Sequence, residues 1–154
     1  KTMDFLKSDE FVDLISYLIH EDTQRNDERI DMTVSEIYRL TGSGSLDFGG
    51  SEFTTVATEV IEPEKQDPSD DYGWWNLKID TYKAILNESI EIPEGHIAFV
   101  QPHIHAERAG LGCNSQFLLP GDPSEELEIH FHVPVAGCRI KQNARIASLF
   151  MIKI

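Results

Sequence analysis

Apolar residues recur along this 154-residue chain with two different rhythms. Phe11, Leu14, Ile15, Leu18 and Ile19 fall at the spacing of one helix face, with Ser8 placed as a cap and Asp9 and Glu10 in the first turn. A polar stretch, HEDTQRNDER (20–29), follows. The run TVSEIYRLTG (33–42) then sets Glu36 three residues after Thr33, as in a capping box, and closes on Gly42. Two helices packed against a larger body are therefore expected within residues 1–43.

Beyond Gly42 the rhythm shortens. SLDFGGSEFTTVATEVIEP (45–63) alternates in the manner of strands and is broken at Gly49 and Gly50, and EPEKQDPSDD (62–71) reads as an acidic surface loop. From Trp74 onward come WWNLKID, YKAILNESIEIP, HIAFVQP, SQFLLPGDP, ELEIHFHVPV, CRIKQ and ARIASLFMIKI, each bounded by turn residues. Many short strands with frequent turn signals predict a sandwich or barrel. The expected architecture is mainly β, a single domain with an N-terminal helical segment (1–43) packed on a barrel (44–154).

Composition supports a globular chain, with 40% hydrophobic residues. No apolar run is long enough to cross a bilayer, and nothing near Lys1 resembles a signal peptide, so the cytoplasm is the expected compartment. The chain opens without Met, which leaves room for native residues before Lys1. Cys113 and Cys138 have no CxxC spacing and are expected to be reduced thiols. A formal net charge of −14 argues against nucleic-acid and anionic-membrane partners, while a small anion remains compatible with a local cluster of Arg and Lys.

The chemistry-bearing signal is histidine. HIHAER (103–108) and IHFH (129–132) hold four of the six histidines. Residues two apart on a strand share a face at roughly 7 Å, so His103 with His105, and His130 with His132, are expected to point together if both segments are extended. Four imidazoles on one cleft, with Glu107 or Glu128 adding a carboxylate, suit zinc, copper, nickel or iron. A cupin site fits poorly, because the Glu of HIHAERAG comes too soon and IHFHVPV lacks the form of the second cupin motif. Two other readings stand beside metal: structural histidines bonded to backbone, and imidazoles serving a phosphate or a proton transfer.

One resemblance bears on this choice. NARIASLFMIKI (143–154) is similar to the closing strand of the dCTP deaminase and dUTPase superfamily, which usually reads Gly-x-Arg-Ile-Ala-Gln-Leu. AILNESIEIPEGHIAFVQPHIHAERAGL (84–111) resembles the dCTP deaminase pattern without a gap, through Glu88, Ser89, Pro93, Arg108, Gly110 and Leu111. GSLDFGGSEF (44–53) is similar to the family's early segment, a small-x-x-Asp strand before a Leu-Gly turn. The resemblance covers 44–154. It implies a jelly-roll-like dUTPase-type barrel, a homotrimer with pockets between subunits, a deoxypyrimidine nucleoside triphosphate as ligand, and Mg2+ carried on the phosphates.

The departures fall on the catalytic positions. Where resembling deaminases read Arg-Ser-Ser, this chain reads His103-Ile104-His105, and the catalytic Glu position is His130. A dUTPase needs an Asp before a Gly-Tyr turn; LLPGDPSEEL (118–127) offers only Asp122 and no aromatic. The Gly-rich C-terminal lid of the superfamily has no counterpart in the sequence. What the resemblance implies is His130, Glu128 and Arg108 as catalytic groups, and His103, His105, Arg108 and Asp122 as ligand contacts. In a deaminase, water activated near His130 or Glu128 attacks C4 of cytosine; in a dUTPase, water attacks the α-phosphate held by Mg2+ and Arg108. Arg139, Lys141 and Arg145 are further candidates for phosphate, and the Trp74–Trp75 pair for core or subunit interface. Three functions follow: a nucleotide hydrolase or deaminase with altered groups, a catalytically degenerate trimeric binder, or a metal-dependent enzyme using His103, His105, His130 and His132.

Overall fold

In the computed structural model, which describes residues 4–122 and 126–154, strands dominate. In chain order the elements are β1 (Asp4–Phe5), α1 (Ser8–Phe11), a 3-10 turn (Val12–Leu14), β2 (Ile15–Ser16), α2 (Glu21–Gln24), β3 (Ile30–Leu40) and β4 (Thr58–Ile61). Next come β5 (Trp74–Leu77), β6 (Asp80–Leu86), β7 (Ser89–Ile90), β8 (His96–Pro102) and α3 (Ile104–Arg108). The chain closes with β9 (Gly112–Cys113), β10 (Gln116–Leu118), β11 (Glu128–Val133), β12 (Cys138–Lys141) and β13 (Arg145–Lys153).

The main sheet runs β10-β8-β13-β3-β6-β11-β9, with β1 added to β13 and β4 to β3. Two further pairs, β5 with β12 and β2 with β7, lie outside that path. Strand β3 is the hinge of the architecture. Its first half pairs with β13 and its second half with β6 and β4, which curls the sheet around one core. Into that core go Ile30, Met32, Val34, Ile37, Ala84, Phe131, Leu149 and Met151, all within 1% of complete burial. Each large side chain so buried contributes about 1.5–3 kcal/mol relative to exposure.

The N-terminal expectation needs two corrections. The run TVSEIYRLTG is a strand, the continuation of β3, and not a helix. The first helix is a single turn, Ser8–Phe11, with Lys7 rather than Ser8 at its cap; the chain then tightens into the 3-10 turn and leaves as β2. Tyr17 has φ 68°, a left-handed conformation that no helix continues through. The 44–53 segment, matched above to a strand and turn, is an exposed loop bearing one isolated bridge, Ser45 to Thr54. From Trp74 onward each predicted run supplies a strand.

Candidate functional site

Two buried carboxylates anchor the end of the barrel where β3, β13 and α3 meet. Asp31, in β3, is fully buried and accepts from both sides. Arg29 Nε and Ser148 Oγ donate to Oδ1 at 3.1 and 2.9 Å; Arg145, Asn26 and His103 Nε2 donate to Oδ2 at 3.1, 3.2 and 3.3 Å. A carboxylate removed from water at this depth is tolerable only with such partners, two of them cationic. Glu88 is 1% exposed and accepts from the Thr33 N–H and the Gln24 amide, both at 2.8 Å, and from the Thr33 hydroxyl. Burial pushes its pKa above the usual 4.5, against the pull of these donors. Gln24 ties the two centres together, since its amide also donates to the Asp31 carbonyl at 2.9 Å.

His103 sits between this network and α3. Its Nδ1 accepts the backbone N–H of His105 at 2.9 Å, which caps the first turn of α3. With Nδ1 accepting, the ring proton lies on Nε2 and is donated to Asp31. Burial holds the His103 pKa below 6.5, outweighing the nearby Asp31 charge, so the contact is a hydrogen bond from a neutral ring. Both ring nitrogens are thereby committed, and at 2% exposure the side chain faces no solvent.

The expected extended geometry at 103–105 is therefore replaced by a helix start. The His103 and His105 rings still lie 4.7 Å apart, at a 63° interplanar angle. Ile104 opens the helix with its side chain 48% exposed, and Arg108 at the other end is exposed with no side-chain hydrogen bond or ion pair among the described residues.

His130 and His132 behave as expected of a strand. In β11, Ile129, Phe131 and Val133 point to the core, which leaves Glu128, His130 and His132 on the opposite face. Across the ladder His130 faces Lys83 and His132 faces Thr81. Lys83 Nζ lies 3.7 Å from Glu128 Oε1, and His132 Nδ1 lies 3.4 Å from Thr81 Oγ1. Among the described residues no group of three or more His, Cys, Asp or Glu is arranged to hold a metal, so the proposed four-histidine centre is not supported. Asp122 accepts the Leu119 N–H at 2.8 Å and closes an exposed turn; Pro123, Ser124 and Glu125, part of the 118–127 stretch, lie outside the described residues.

A second feature adjoins α3. Trp74, His105, Arg139, Lys141 and Arg145 rim a cavity of about 220 Å³ floored by Ala106, Leu111, Ile140 and Ile146. The Arg139 guanidinium lies 4.4 Å and the Lys141 ammonium 5.6 Å from the Trp74 ring centre. Trp75 turns inward and donates its indole N–H to the Ile61 carbonyl. Cys113 and Cys138 are free thiols; burial pushes Cys113 up to about 11 and raises Cys138, so neither is a ready nucleophile near neutrality.

Sequence reasoning missed the Asp31 network. Its signal was an acidic residue inside RIDMTV, an apolar, β-branched run in which a charge needs buried partners. Arg145, a phosphate candidate by sequence, is paired with Asp31 in the structure.

No family model matches the chain. Proteins named probable deoxyuridine 5'-triphosphate nucleotidohydrolase are similar to it: that of Methanosarcina acetivorans is 30% identical and that of Methanosarcina mazei 28% identical, each over 138 residues, 88% of this chain and 76% of the relative. The 2'-deoxycytidine 5'-triphosphate deaminase of Agrobacterium tumefaciens shares the fold, with a TM-score of 0.68 at 11% identity, covering all of this chain but 49% of that one. No helix among the described residues is long and apolar enough to cross a membrane. With the fold shared with that deaminase and a 30% identical relative spanned over most of its length, the chain belongs to the dCTP deaminase and dUTPase superfamily.

Proposed function

We propose that this protein binds a deoxypyrimidine nucleoside triphosphate, with Mg2+ entering as part of the ligand, and that it has lost the ancestral hydrolytic or deaminating step. The observation that carries the reading is Ile104: the position that holds the catalytic serine in resembling deaminases presents a half-exposed hydrocarbon at the start of α3. An isoleucine neither donates nor accepts a hydrogen bond, so it cannot orient a water or steady a developing charge. The neighbouring His103 is neutral, buried and spent on Asp31, which leaves it no role toward phosphate.

On this reading Arg108 holds a phosphate oxygen through its unpaired guanidinium. Binding uses a cleft between copies of a homotrimer, with α3 and His105 of one subunit facing Glu128, His130 and His132 on β11 of the next, and Asp122 at its margin. The chain works as a single domain in the cytoplasm. A second reading keeps turnover, and one observation favours it: His130 is half-buried, opposite Lys83 and on the same face as Glu128, a setting in which an imidazole can pass a proton to or from water. There His130 and Glu128 take the catalytic roles and Arg108 steadies the phosphates.

The readings separate in one tube. Calorimetry with dUTP and dCTP plus Mg2+, followed by chromatography of the recovered nucleotide, yields binding with unchanged nucleotide under the first reading and pyrophosphate or ammonia under the second. The double variant Ile104→Ser, His130→Glu puts back the serine and the glutamate of the resembling deaminases and is expected to gain turnover while the parent shows none.

A further inference from the structure

A cavity of about 660 Å³ opens where the turn before β3 meets the start of α1, and nothing in the reading above uses it. Its size falls within the roughly 300–1,000 Å³ of pockets that hold small ligands. The lining is polar throughout: Lys7, Arg25 and Arg29 supply three cations, and Asp9 and Asp27 two carboxylates. The whole chain carries 27 acidic residues against 13 Lys and Arg. A lining in which cations outnumber carboxylates therefore reverses the balance of the molecule at this one place.

Charge alone would describe any mixed surface; Ser8 and Arg29 set this one apart. The sequence places Ser8 as a helix cap, yet Lys7 takes that position, and the Ser8 hydroxyl makes no hydrogen bond among the described residues. Ser8 is 5% exposed, its N–H is spent on the Asp27 carbonyl at 2.8 Å, and its side chain lines the cavity. A nearly buried hydroxyl without a partner is a donor left for a ligand. Arg29 is fixed by its Nε, which donates to the buried Asp31 at 3.1 Å, while its terminal nitrogens have no hydrogen bond among the described residues. A guanidinium carries five N–H donors in one plane, so four remain in a preset orientation. Lys7 and Arg25 hold only exposed partners, Glu28 at 2.9 Å and Glu21 at 3.3 Å. Exposed pairs of this kind contribute little and exchange readily.

The carboxylates decide which anion fits. Asp9 and Asp27 have no side-chain partner among the described residues. An ionised carboxylate only accepts hydrogen bonds, so it repels a bare anion such as sulfate but can accept from an anion that carries its own proton. A hydrogen phosphate group offers both faces, with oxygens for arginine and serine and a P–OH for aspartate. We propose that this cavity binds a hydrogen phosphate group, free or as the monoester of a small polar molecule. Arg29, Arg25 and the Ser8 hydroxyl donate to its oxygens, and Asp9 or Asp27 accepts its P–OH proton. None of these residues is given to the nucleotide, so the outcome is independent of whether nucleotide binds or turns over.

The test is calorimetric titration of the nucleotide-free protein with inorganic phosphate and, separately, with glycerol phosphate, against sulfate at matched ionic strength. It is run at about pH 6, where roughly half of a phosphate monoester still carries its proton. Saturable binding of one phosphate group per chain is expected, the tighter of the two ligands identifying the source, with sulfate bound roughly tenfold more weakly or less. Arg25→Gln and Ser8→Ala, folded as wild type by circular dichroism, are each expected to weaken phosphate binding roughly tenfold. The double variant Asp9→Asn, Asp27→Asn is expected to bring sulfate up to the affinity of phosphate. Arg108→Gln, at the residue given to the nucleotide, is expected to bind phosphate as wild type does. Absence of saturable binding, sulfate held as tightly as phosphate by wild type, or phosphate lost in Arg108→Gln but kept in Arg25→Gln overturns the proposal.

Discussion

At the residue scale the molecule turns on Asp31. Five donors converge on one carboxylate that no solvent reaches, and they come from the turn before β3, the β8–α3 junction and β13. Removing it leaves Arg29 and Arg145 partly buried and unneutralised, and losing one partner of a buried ion pair costs about 3–5 kcal/mol. Asp31→Ala is therefore expected to lower the midpoint of thermal unfolding by roughly 6–20 °C. His103 adds a pH dependence whose sign follows from its burial. Its folded pKa lies below 6.5, so under that pH the unfolded chain takes up a proton that the folded chain refuses. Its contribution is complete above pH 6.5 and fades as pH falls through the folded value. Glu88 acts in the opposite sense: with a pKa raised above 4.5, its contribution is complete below 4.5 and fades as pH climbs through the folded value. In urea unfolding from pH 5 to 8, the stability of wild type relative to the His103→Gln variant should rise toward pH 6.5 and level off above it, which separates His103 from the opposing Glu88 trend.

At the element scale β3 and α3 decide what could be read from the sequence. Val34 and Ile37 are both fully buried at a separation of three, which is helical spacing. A strand achieves it because the β3–β6 register shifts between Val34 and Glu36; the irregularity resets the alternation and turns both side chains inward. That shift depends on pairing with a strand some fifty residues away, so no local pattern could report it. From Trp74 onward alternation is regular, and each strand was legible. At the site, β11's shared histidine face and the odd residues at 103–105 were legible; the local capping bond that makes 103–105 a helix start competes with an extended reading of the same residues, and the Asp31 hub that fixes His103 arises only from tertiary contact. Two substitutions distinguish core from display. Ile37→Ala is expected to cost about 2–5 kcal/mol in denaturant unfolding, whereas Ile104→Ser, on an exposed helix position, should stay within about 0.5 kcal/mol of wild type.

At the scale of the whole molecule, charge sets the terms on which a ligand arrives. A formal −14 spread over 154 residues repels a nucleoside triphosphate at long range, whatever the proposed Arg108 contact contributes at close range. Added salt screens the long-range repulsion, with a Debye length near 10 Å at about 0.1 M. Stopped-flow association of Mg2+-nucleotide is thus expected to speed up between low and physiological salt, the reverse of a binder with a basic surface. The measurement that tests the central claim most directly is titration of the folded protein with dUTP and with dCTP in the presence of Mg2+, followed by analysis of the recovered nucleotide. The account predicts saturable binding of one of them and its recovery intact. No binding of either, or release of pyrophosphate or ammonia by the wild-type chain, would contradict it.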